Sequence, residues 1–288
     1  MTIKLVKIIG LYLLPQHFLS RVGGIVATCR WPRVKNRILR RFIKRYNVNM
    51  AEAIRENPED YIHFQDFFSR KLKPGLRRIS PDPNEICSPV DGNISEFGSI
   101  DEGKLIQAKG KLFRVHNLLG LDEQDPLTQH FKNGEFMTIY LAPPDYHRIH
   151  IPMNGHLIKS IYVPGRLFSV NPTSVKIVDG LFARNERLVA IFSTTMGPVA
   201  VIMVGAFLVA SIATVWDGLI TPPGGSCLLS KDFNIDDPNY YFEKGAEIGH
   251  FNLGSTVILL FGKDAINWST LAVGDTIKLG EKIASRVR

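Results

Sequence analysis

Three short motifs, widely separated in the sequence, carry side chains that could act as an acid, a base and a nucleophile. The motifs are SPVDG at 88–92, DYHRIH at 145–150 and LGST at 253–256. They supply one carboxylate, two histidines and a Gly-Ser step: Asp91, His147, His150 and Gly254-Ser255. Each motif alone has an ordinary interpretation, as a turn, a pair of surface or core histidines, or a bend before a strand. Their combination predicts nucleophilic chemistry.

The Gly-Ser step could cleave its own backbone. The hydroxyl of Ser255 adjoins the unhindered carbonyl of Gly254, and its attack would convert the amide into an ester. Glycine tolerates the distorted backbone that this attack requires. A base must take the hydroxyl proton, and an acid must orient that base. Elimination would then break the chain and leave dehydroalanine, which hydrolyses to an N-terminal pyruvoyl group.

Neither the histidines nor the cysteines indicate a metal site. The two histidines lie three residues apart, but no acidic or cysteine residue stands at a supporting helical spacing. Cys29, Cys87 and Cys227 are scattered and form no CxxC pair. We therefore predict no metal and no disulfide framework, and we expect a reducing compartment.

The ordered motifs resemble the bacterial phosphatidylserine decarboxylases, which are pyruvoyl-dependent enzymes made as self-cleaving proenzymes. The resemblance covers most of the chain after about residue 64. The matching segments are 67–70 (FFSR), 72–74 (LKP), 88–92, 106–110 (IQAKG), 145–150, 165–172 (GRLFSVNP), 185–187 (NER), 204–206 (VGA), 244–249 (KGAEIG) and 253–256. The basic front of the chain is similar to the family's membrane-binding helices in character, but matches them less closely.

This resemblance implies that Asp91, His150 and Ser255 form the self-cleavage set. His150 would be the base, Asp91 would orient it, and Ser255 would attack the carbonyl of Gly254. Cleavage would give a large subunit, 1–254, and a small subunit, 255–288, whose first residue is the pyruvoyl cofactor. His147 is implied in decarboxylation as a proton donor or positioning group, and the division of roles between the two histidines stays open.

The resemblance also implies the reaction and the partners. The pyruvoyl group would form a Schiff base with the headgroup amine of phosphatidylserine, accept the electrons left by CO₂, and yield phosphatidylethanolamine. The implied partners are an anionic phospholipid membrane surface, the substrate lipid and a second copy of the chain in a homodimer. An alternative function is a membrane-attached serine hydrolase that uses the Asp-His-Ser set without chain cleavage.

The net charge of +8 is concentrated at one end of the chain. Residues 1–51 contain eleven Lys and Arg and no acid, so the remainder carries a net charge of −3. Over residues 34–46, apolar positions recur at helical spacing and basic residues lie mostly opposite. This pattern favours a helix on an acidic membrane, with its apolar face in the acyl boundary. The alternatives are a helix packed on its own core and a nucleic-acid-binding helix.

From this pattern we expect a peripheral protein at the cytoplasmic face of the cell membrane, with no nucleic-acid partner. We also expect that removing residues 1–46 abolishes binding to acidic vesicles and leaves self-cleavage intact. The apolar segment at 8–14 is too short to span a bilayer, and the arginine-rich sequence after it argues against a signal peptide.

A second apolar segment, between Arg187 and Asp217, contains no charge. Its length suits a transmembrane helix, but residues 194–198 (TTMGP) predict a turn that divides it. Its abundance of Val, Ile and Ala is typical of strands buried on both faces. We therefore predict two core strands.

The sequence as a whole predicts an α+β fold. Amphipathic helices in a membrane-association region, 1–70, precede an antiparallel β-rich catalytic domain, 71–288, shaped like a sandwich or flattened barrel. A stretch rich in Pro and Gly at 72–83 connects them. Strands are predicted at 104–108, 135–142, 156–163, 187–193, 199–212, 256–261 and 276–279.

Overall fold

The computed structural model describes residues 16–108, 111–206, 211–220, 227–252 and 255–287. The apolar segment at 8–14 lies outside these described residues, and so does Gly254 of the predicted cleavage site. None of the helices within the described ranges is long and apolar enough to cross a membrane.

The front of the described chain is helical. Helix α1 spans Gln16–Ala27, α2 spans Pro32–Tyr46 and α3 spans Phe64–Phe68, with single 3-10 turns at Met50–Glu52 and Pro58–Asp60 between the last two. Proline suits the first turn of α2, where an amide would lack a helical partner anyway. The helix ends at Asn47, whose left-handed backbone lets an amide reach the carbonyl of Ile43.

The apolar face of α2 packs on the protein's own core. Leu39 is fully buried. The ring of Phe42 lies 5.0, 5.9 and 6.1 Å from those of Phe64, Phe67 and Phe68, respectively. The prediction that this face lies in the acyl boundary is therefore wrong for the described structure, and the alternative of a helix packed on its own core is confirmed.

The opposite face of α2 is cationic and exposed. Its exposed basic residues are Arg33, Arg37, Arg40, Arg41, Lys44 and Arg45. Lys35 is the exception, because its side chain is buried and its ammonium donates to the carbonyls of Glu59 and Tyr61. The helix thus presents charge outward while its apolar side holds the front together.

The rest of the chain is rich in short strands. They are β1 Glu85–Cys87, β2 Gly92–Ser99, β3 Lys104–Ala108, β4 Lys111–Arg114, β5 Glu135–Leu141, β6 Arg148–His150, β7 Gly155–Val163, β8 Arg187–Thr194, β9 Gly197–Val204, β10 Ile212–Thr214, β11 Gly218–Leu219, β12 Leu229–Asp232, β13 Tyr241–Phe242, β14 Glu247–Phe251, β15 Ser255–Phe261, β16 Ile266–Trp268, β17 Thr276–Ile277 and β18 Lys282–Arg286. Among the residues that the structure describes, four short α-helices and one 3-10 turn, Pro238–Tyr240, lie between these strands. The helices are α4 Val115–Leu119, α5 Pro126–Phe131, α6 Pro172–Ile177 and α7 Leu181–Arg184.

The largest sheet has the strand order β12-β7-β8-β9-β15-β5-β2-β17, with β13 also paired to β7. A four-stranded sheet, β11-β10-β14-β6, a three-stranded sheet, β1-β18-β16, and the β3–β4 pair complete the described strands. All of the named strands pair antiparallel, so the predicted α+β class with an antiparallel body is confirmed. The large sheet is open, with β12 and β17 at its edges, and does not close into a barrel.

The uncharged segment after Arg187 forms core strands, as predicted. Strands β8 and β9 pair from Arg187 with Val204 to Thr194 with Gly197, and the turn between them falls within the predicted 194–198. One detail of the prediction is wrong, because the strand expected at 199–212 is not continuous. Strand β9 ends at Val204, and β10 belongs to the four-stranded sheet.

Candidate active site

The strand ladder brings the predicted acid and nucleophile to the same end of the large sheet. Strand β5 lies between β15 and β2, with Leu141 opposite Ser255 and Tyr140 opposite Asn93. Asp91 precedes β2 by one residue, so it lies near the end of β5 on the side away from Ser255. Strands β15 and β2 are two strand spacings apart, which is about 10 Å.

The residues after β5 carry both histidines back across this sheet end. The carbonyl of His147 accepts a hydrogen bond from the amide of Phe251, at 3.0 Å. His150 pairs with Glu247 of β14, and its amide donates to the carbonyl of Pro89 at 2.9 Å. The three predicted motifs therefore converge on one region, although they are far apart in sequence.

Asp91 is held as a buried carboxylate by two cations and an amide. Arg77 donates to both of its oxygen atoms, at 3.0 and 2.6 Å, and the amide of Leu279 donates at 2.8 Å. Lys278 lies 3.4 Å from the second oxygen. Burial opposes ionisation, but the Arg77 and Leu279 hydrogen bonds and the positive charges outweigh it, so the Asp91 pKa lies below its usual range.

Gly92 explains how this carboxylate can approach β5. A Cβ atom at that position would lie only 2.6 Å from the carbonyl oxygen of Tyr140. Any larger residue would push β2 away from β5, and with it the segment that carries Asp91. The glycine of the SPVDG motif therefore permits a close backbone approach.

His147 is a fully buried imidazole with a free nitrogen. Its Nδ1 lies 2.8 Å from the carbonyl oxygen of Asp145. Because a carbonyl can only accept, Nδ1 carries the hydrogen and Nε2 carries the lone pair. Nε2 is buried without a partner in the part of the chain that the structure describes. Burial lowers the pKa of His147 to about 3, so the ring is neutral at physiological pH.

His150 is also neutral, but both of its ring nitrogens are engaged. Its Nδ1 donates to the carbonyl of Gly245 at 2.8 Å, and its Nε2 accepts from the hydroxyl of Tyr146 at 3.1 Å. Burial lowers the pKa of His150, and the Gly245 carbonyl opposes that shift in part. The orienting group that the structure gives to His150 is thus a backbone carbonyl. Among the described hydrogen bonds, none joins it to Asp91.

Ser255 is fully buried at the start of β15. Its Oγ has no hydrogen-bond partner among the described residues. An unpartnered buried hydroxyl is costly in a folded protein, and a role in a reaction is one reason for it to be kept. A small keto group formed at this position would be equally enclosed, and it would leave no hydroxyl unsatisfied, so the site fits a pyruvoyl group.

The last strands of the chain are firmly built into the body. Strand β15 pairs with β9 and β5, β17 pairs with β2, and β18 pairs with β1 and β16. Lys278 and the Leu279 amide also reach Asp91. A break in the backbone before Ser255 would therefore leave residues 255–287 bound by sheet pairing and by the buried ion pair.

Sequence reasoning missed several residues that shape this site. Arg77 lies in the stretch predicted to be a connector, where an Arg-Arg pair among Pro and Gly residues gives no signal of a buried ion pair. Lys278 lies in the strand predicted at 276–279, but the sequence does not predict its contact with Asp91. Tyr146 and Gly245 belong to quoted motifs, yet nothing in the sequence alone indicates that both would contact His150.

Comparisons with known proteins agree with the motif resemblance. A family model described as phosphatidylserine decarboxylase matches residues 64–285, and a second, described as PSD, matches residues 6–47. A phosphatidylserine decarboxylase proenzyme from Pseudomonas putida is 48% identical over 285 residues, covering 98% of each chain. Proteins of the same name from Shewanella amazonensis and Bordetella pertussis are 51% and 47% identical. The former match covers 91% of each chain, and the latter covers 95% of this chain and 92% of the relative.

Proposed function

The chain belongs to the phosphatidylserine decarboxylase family, and from that premise we propose that it converts phosphatidylserine to phosphatidylethanolamine after cleaving itself between Gly254 and Ser255. The observation that carries the proposal is the buried, unpartnered Oγ of Ser255, at the sheet end where Asp91, His147 and His150 also gather.

Self-cleavage begins when the Ser255 Oγ attacks the carbonyl carbon of Gly254. An ester bond forms as the peptide C–N bond breaks, and the hydroxyl proton passes through His150 to the freed amine. Loss of the Ser255 α-proton then expels the Gly254 carboxylate from Cβ. The resulting dehydroalanine gains water and releases ammonia, which leaves a pyruvoyl group at position 255.

His150 must present its Nε2 lone pair in order to accept that proton. In the structure this lone pair accepts the hydroxyl of Tyr146, so the hydroxyl turns away before His150 acts as the base. The Gly245 carbonyl keeps Nδ1 protonated and therefore keeps the lone pair on Nε2. Asp91 acts through the charge it adds beside the ring, which favours the imidazolium that forms.

The pyruvoyl group supplies an electron sink for the loss of CO₂. His147 then serves the proton transfers. Its unshared Nε2 lone pair can take a proton from the substrate ammonium and return it to the headgroup carbon that loses CO₂. The Phe68 ring, 4.1 Å from the imidazole, helps to hold it in this orientation and excludes water.

The front of the molecule supplies a surface for an anionic membrane. The front exposes both apolar and cationic side chains. The cationic ones form the exposed face of α2, and the apolar ones belong to α1 and the turn after it: Val22, Ile25, Val26 and Trp31. A shallow groove on α2 is lined by Pro32, Arg33, Asn36, Arg37 and Arg40. We place the protein at the cytoplasmic face of the membrane as a peripheral enzyme, where lipid phosphates meet the cationic face.

The decisive test is the intact mass of the purified chain under denaturing conditions. The wild type should give two species, 1–254 and a 255–288 fragment lighter than a serine-initiated peptide by one ammonia. Ser255→Ala should remain one uncut chain with no decarboxylase activity on phosphatidylserine vesicles. Ser269→Ala is the matched control, because it also removes a buried, unpartnered hydroxyl from the small fragment.

Two outcomes would contradict the proposal. A folded wild-type chain that stays uncut and reacts with serine-directed probes would be a serine hydrolase instead. A cut chain that carries the pyruvoyl group but leaves phosphatidylserine unchanged would show that the substrate is wrong.

A further inference from the structure

Arg70 is a buried cation without a carboxylate partner. The residue lies two positions after the end of α3 and is only 4% exposed. Nη2 donates to the carbonyls of Pro144 and Asp145, at 2.6 and 3.3 Å. The other two nitrogens, Nε and Nη1, are buried without hydrogen-bond partners in the described part of the chain.

The surrounding acids do not neutralise this guanidinium directly. Asp91, Asp145 and Glu52 all act on Arg70 electrostatically. Each of these carboxylates accepts hydrogen bonds from other donors: Arg77 for Asp91 and Glu52, and the Ala142 amide for Asp145. No ion pair of Arg70 appears within the described residues. A buried, unpaired charge with two free donors is costly, and it is best explained by an anion that binds there.

The location of Arg70 connects it to the reaction. The carbonyl of Asp145 accepts from Nη2 of Arg70 and also from Nδ1 of His147. The guanidinium and the imidazole therefore share one oxygen atom. His147 and the shared Asp145 carbonyl lie on the segment that follows β5, whose last residue, Leu141, pairs with Ser255. Phe67 and Phe68, the last two residues of α3, contact the guanidinium and the imidazole, respectively.

We propose that Arg70 binds the phosphodiester of the substrate headgroup, an inference that rests on the proposed function. The substrate carries two anionic groups. Its carboxylate leaves as neutral CO₂, so a cation on that group would stabilise the ground state and oppose the reaction. The phosphodiester keeps its charge throughout, and a cation there anchors the headgroup without resisting the chemistry. Charge-assisted hydrogen bonds from guanidinium to phosphate oxygen are short and strong.

Binding requires local rearrangement, because the two free nitrogens are closed to solvent. The guanidinium is held through Nη2 alone, by two carbonyls. It can turn toward an incoming phosphodiester at the cost of those two contacts. Arg70 follows α3 of the helical front and contacts the segment after β5, so among the site residues it is the one closest in sequence to the proposed membrane surface.

The experiment compares wild type with Arg70→Met and Arg70→Lys in the mature enzyme, with water-soluble glycerophosphoserine as the substrate. We expect Arg70→Met to raise KM at least tenfold while kcat changes less than threefold. Inhibition by glycerophosphoethanolamine, which has the phosphodiester but no carboxylate, should weaken by a similar factor. Inhibition by free serine, which has the carboxylate but no phosphate, should not change. Arg70→Lys keeps the charge and should show a smaller loss.

Arg55→Lys is the control, since this cation of the front is paired with Asp66 and should leave all four measurements unchanged. Intact mass confirms that each variant is cleaved, and Arg70→Lys keeps the proposal testable if Arg70→Met does not fold.

Weakened serine inhibition with unchanged glycerophosphoethanolamine inhibition would assign Arg70 to the carboxylate and overturn the proposal. Loss of vesicle binding alone would assign it to bulk lipid and overturn it equally. A wild type that is uncut or inactive would instead defeat the proposed function.

Discussion

The helical front and the end of the large sheet use charged residues in opposite ways. On the front, most of the basic side chains of α2 face solvent, and even the paired Arg40 and Glu59 are 68% and 44% exposed at their side chains. At the sheet end, Asp91 is 2% exposed and its partner Arg77 is 12% exposed at the side chain. His147 is fully buried.

This difference in burial predicts a difference in how mutations act. Exposed charges are screened by salt and contribute about 1 kcal/mol or less each, so their effects should be small and additive. Buried groups have fixed partners and protonation states, so one substitution at the sheet end can abolish a step. Substitutions on the front should therefore have small, additive, salt-dependent effects, whereas single substitutions at the sheet end should have large ones.

The largest effect should come from replacing each of the two histidines in turn, because one substitution should block self-cleavage and the other should block decarboxylation. His150→Ala should leave an uncut chain, because no base remains for the Ser255 proton. His147→Ala should be cut, yet it should lose at least about 100-fold in kcat on phosphatidylserine, since general acid–base groups typically contribute that much. Intact mass reports cleavage, and release of CO₂ reports decarboxylation.

His130→Ala serves as the control for this pair, because it removes a partly buried histidine that bonds to the carbonyl of Pro198, away from the site. Vesicle binding by all three variants should equal that of the wild type. An uncut His147→Ala chain, together with a cut but inactive His150→Ala chain, would reverse the roles proposed here.

The sequence predicted the family correctly, but it did not predict the geometry of the site. The motifs around Asp91, His150 and Ser255 predict self-cleavage through their resemblance to that family, and this part stays a prediction. The partners of these residues could not be predicted, since they come from distant positions. Lys278 lies 187 residues after Asp91 in the sequence, and Arg77 lies 14 residues before it in a stretch without a recognisable motif. The Gly245 carbonyl that orients His150 is a backbone group with no signature.

The α2 helix shows the same limit for the fold. Its periodicity predicted the helix correctly, and the structure only extends it to Pro32. Periodicity cannot tell what covers an apolar face, since a membrane and a cluster of phenylalanines satisfy it equally well. The partners that decided the matter, Phe64, Phe67 and Phe68, lie beyond two intervening turns.

An intermediate effect is expected from the glycine that holds His150. Gly245 has a left-handed backbone, with φ of +82°, and a Cβ atom there would lie 2.7 Å from the side chain of Ile79. Gly245→Ala should therefore shift the carbonyl that fixes the His150 tautomer, and should slow self-cleavage by about tenfold, the change expected from about 1.4 kcal/mol. The measurement is the rate at which uncut chain disappears after synthesis.

Gly274→Ala is the matched control for this substitution. Gly274 also has a positive φ, +99°, but a Cβ atom there meets nothing within 4 Å. It carries the same kind of backbone strain without displacing a neighbour of His150. Equal slowing by both variants would show that general destabilisation, and not the position of the imidazole, limits cleavage.

The smallest effects per residue should come from the cationic face of α2. Arg33→Gln, Arg37→Gln and Arg41→Gln should each weaken binding to vesicles containing anionic phospholipid by up to about fivefold, or about 1 kcal/mol. The losses should add in the triple variant and should shrink as salt is raised. Lys104→Gln removes an exposed cation from β3 and should change nothing. Co-sedimentation with vesicles at two salt concentrations provides the measurement.

These point substitutions are a cleaner test than removal of residues 1–46. The deletion would uncover Phe67 and Phe68, and Phe68 lies against His147, so a loss of activity could arise without any change in membrane contact. Trp31→Ala complements the charge variants, because its 64% exposed ring should contribute apolar contact that does not depend on salt. If the triple variant binds vesicles as the wild type does, the cationic face is not the membrane surface. If it binds weakly and also fails to cleave itself, the front and the sheet end are coupled more tightly than their opposite use of charge suggests.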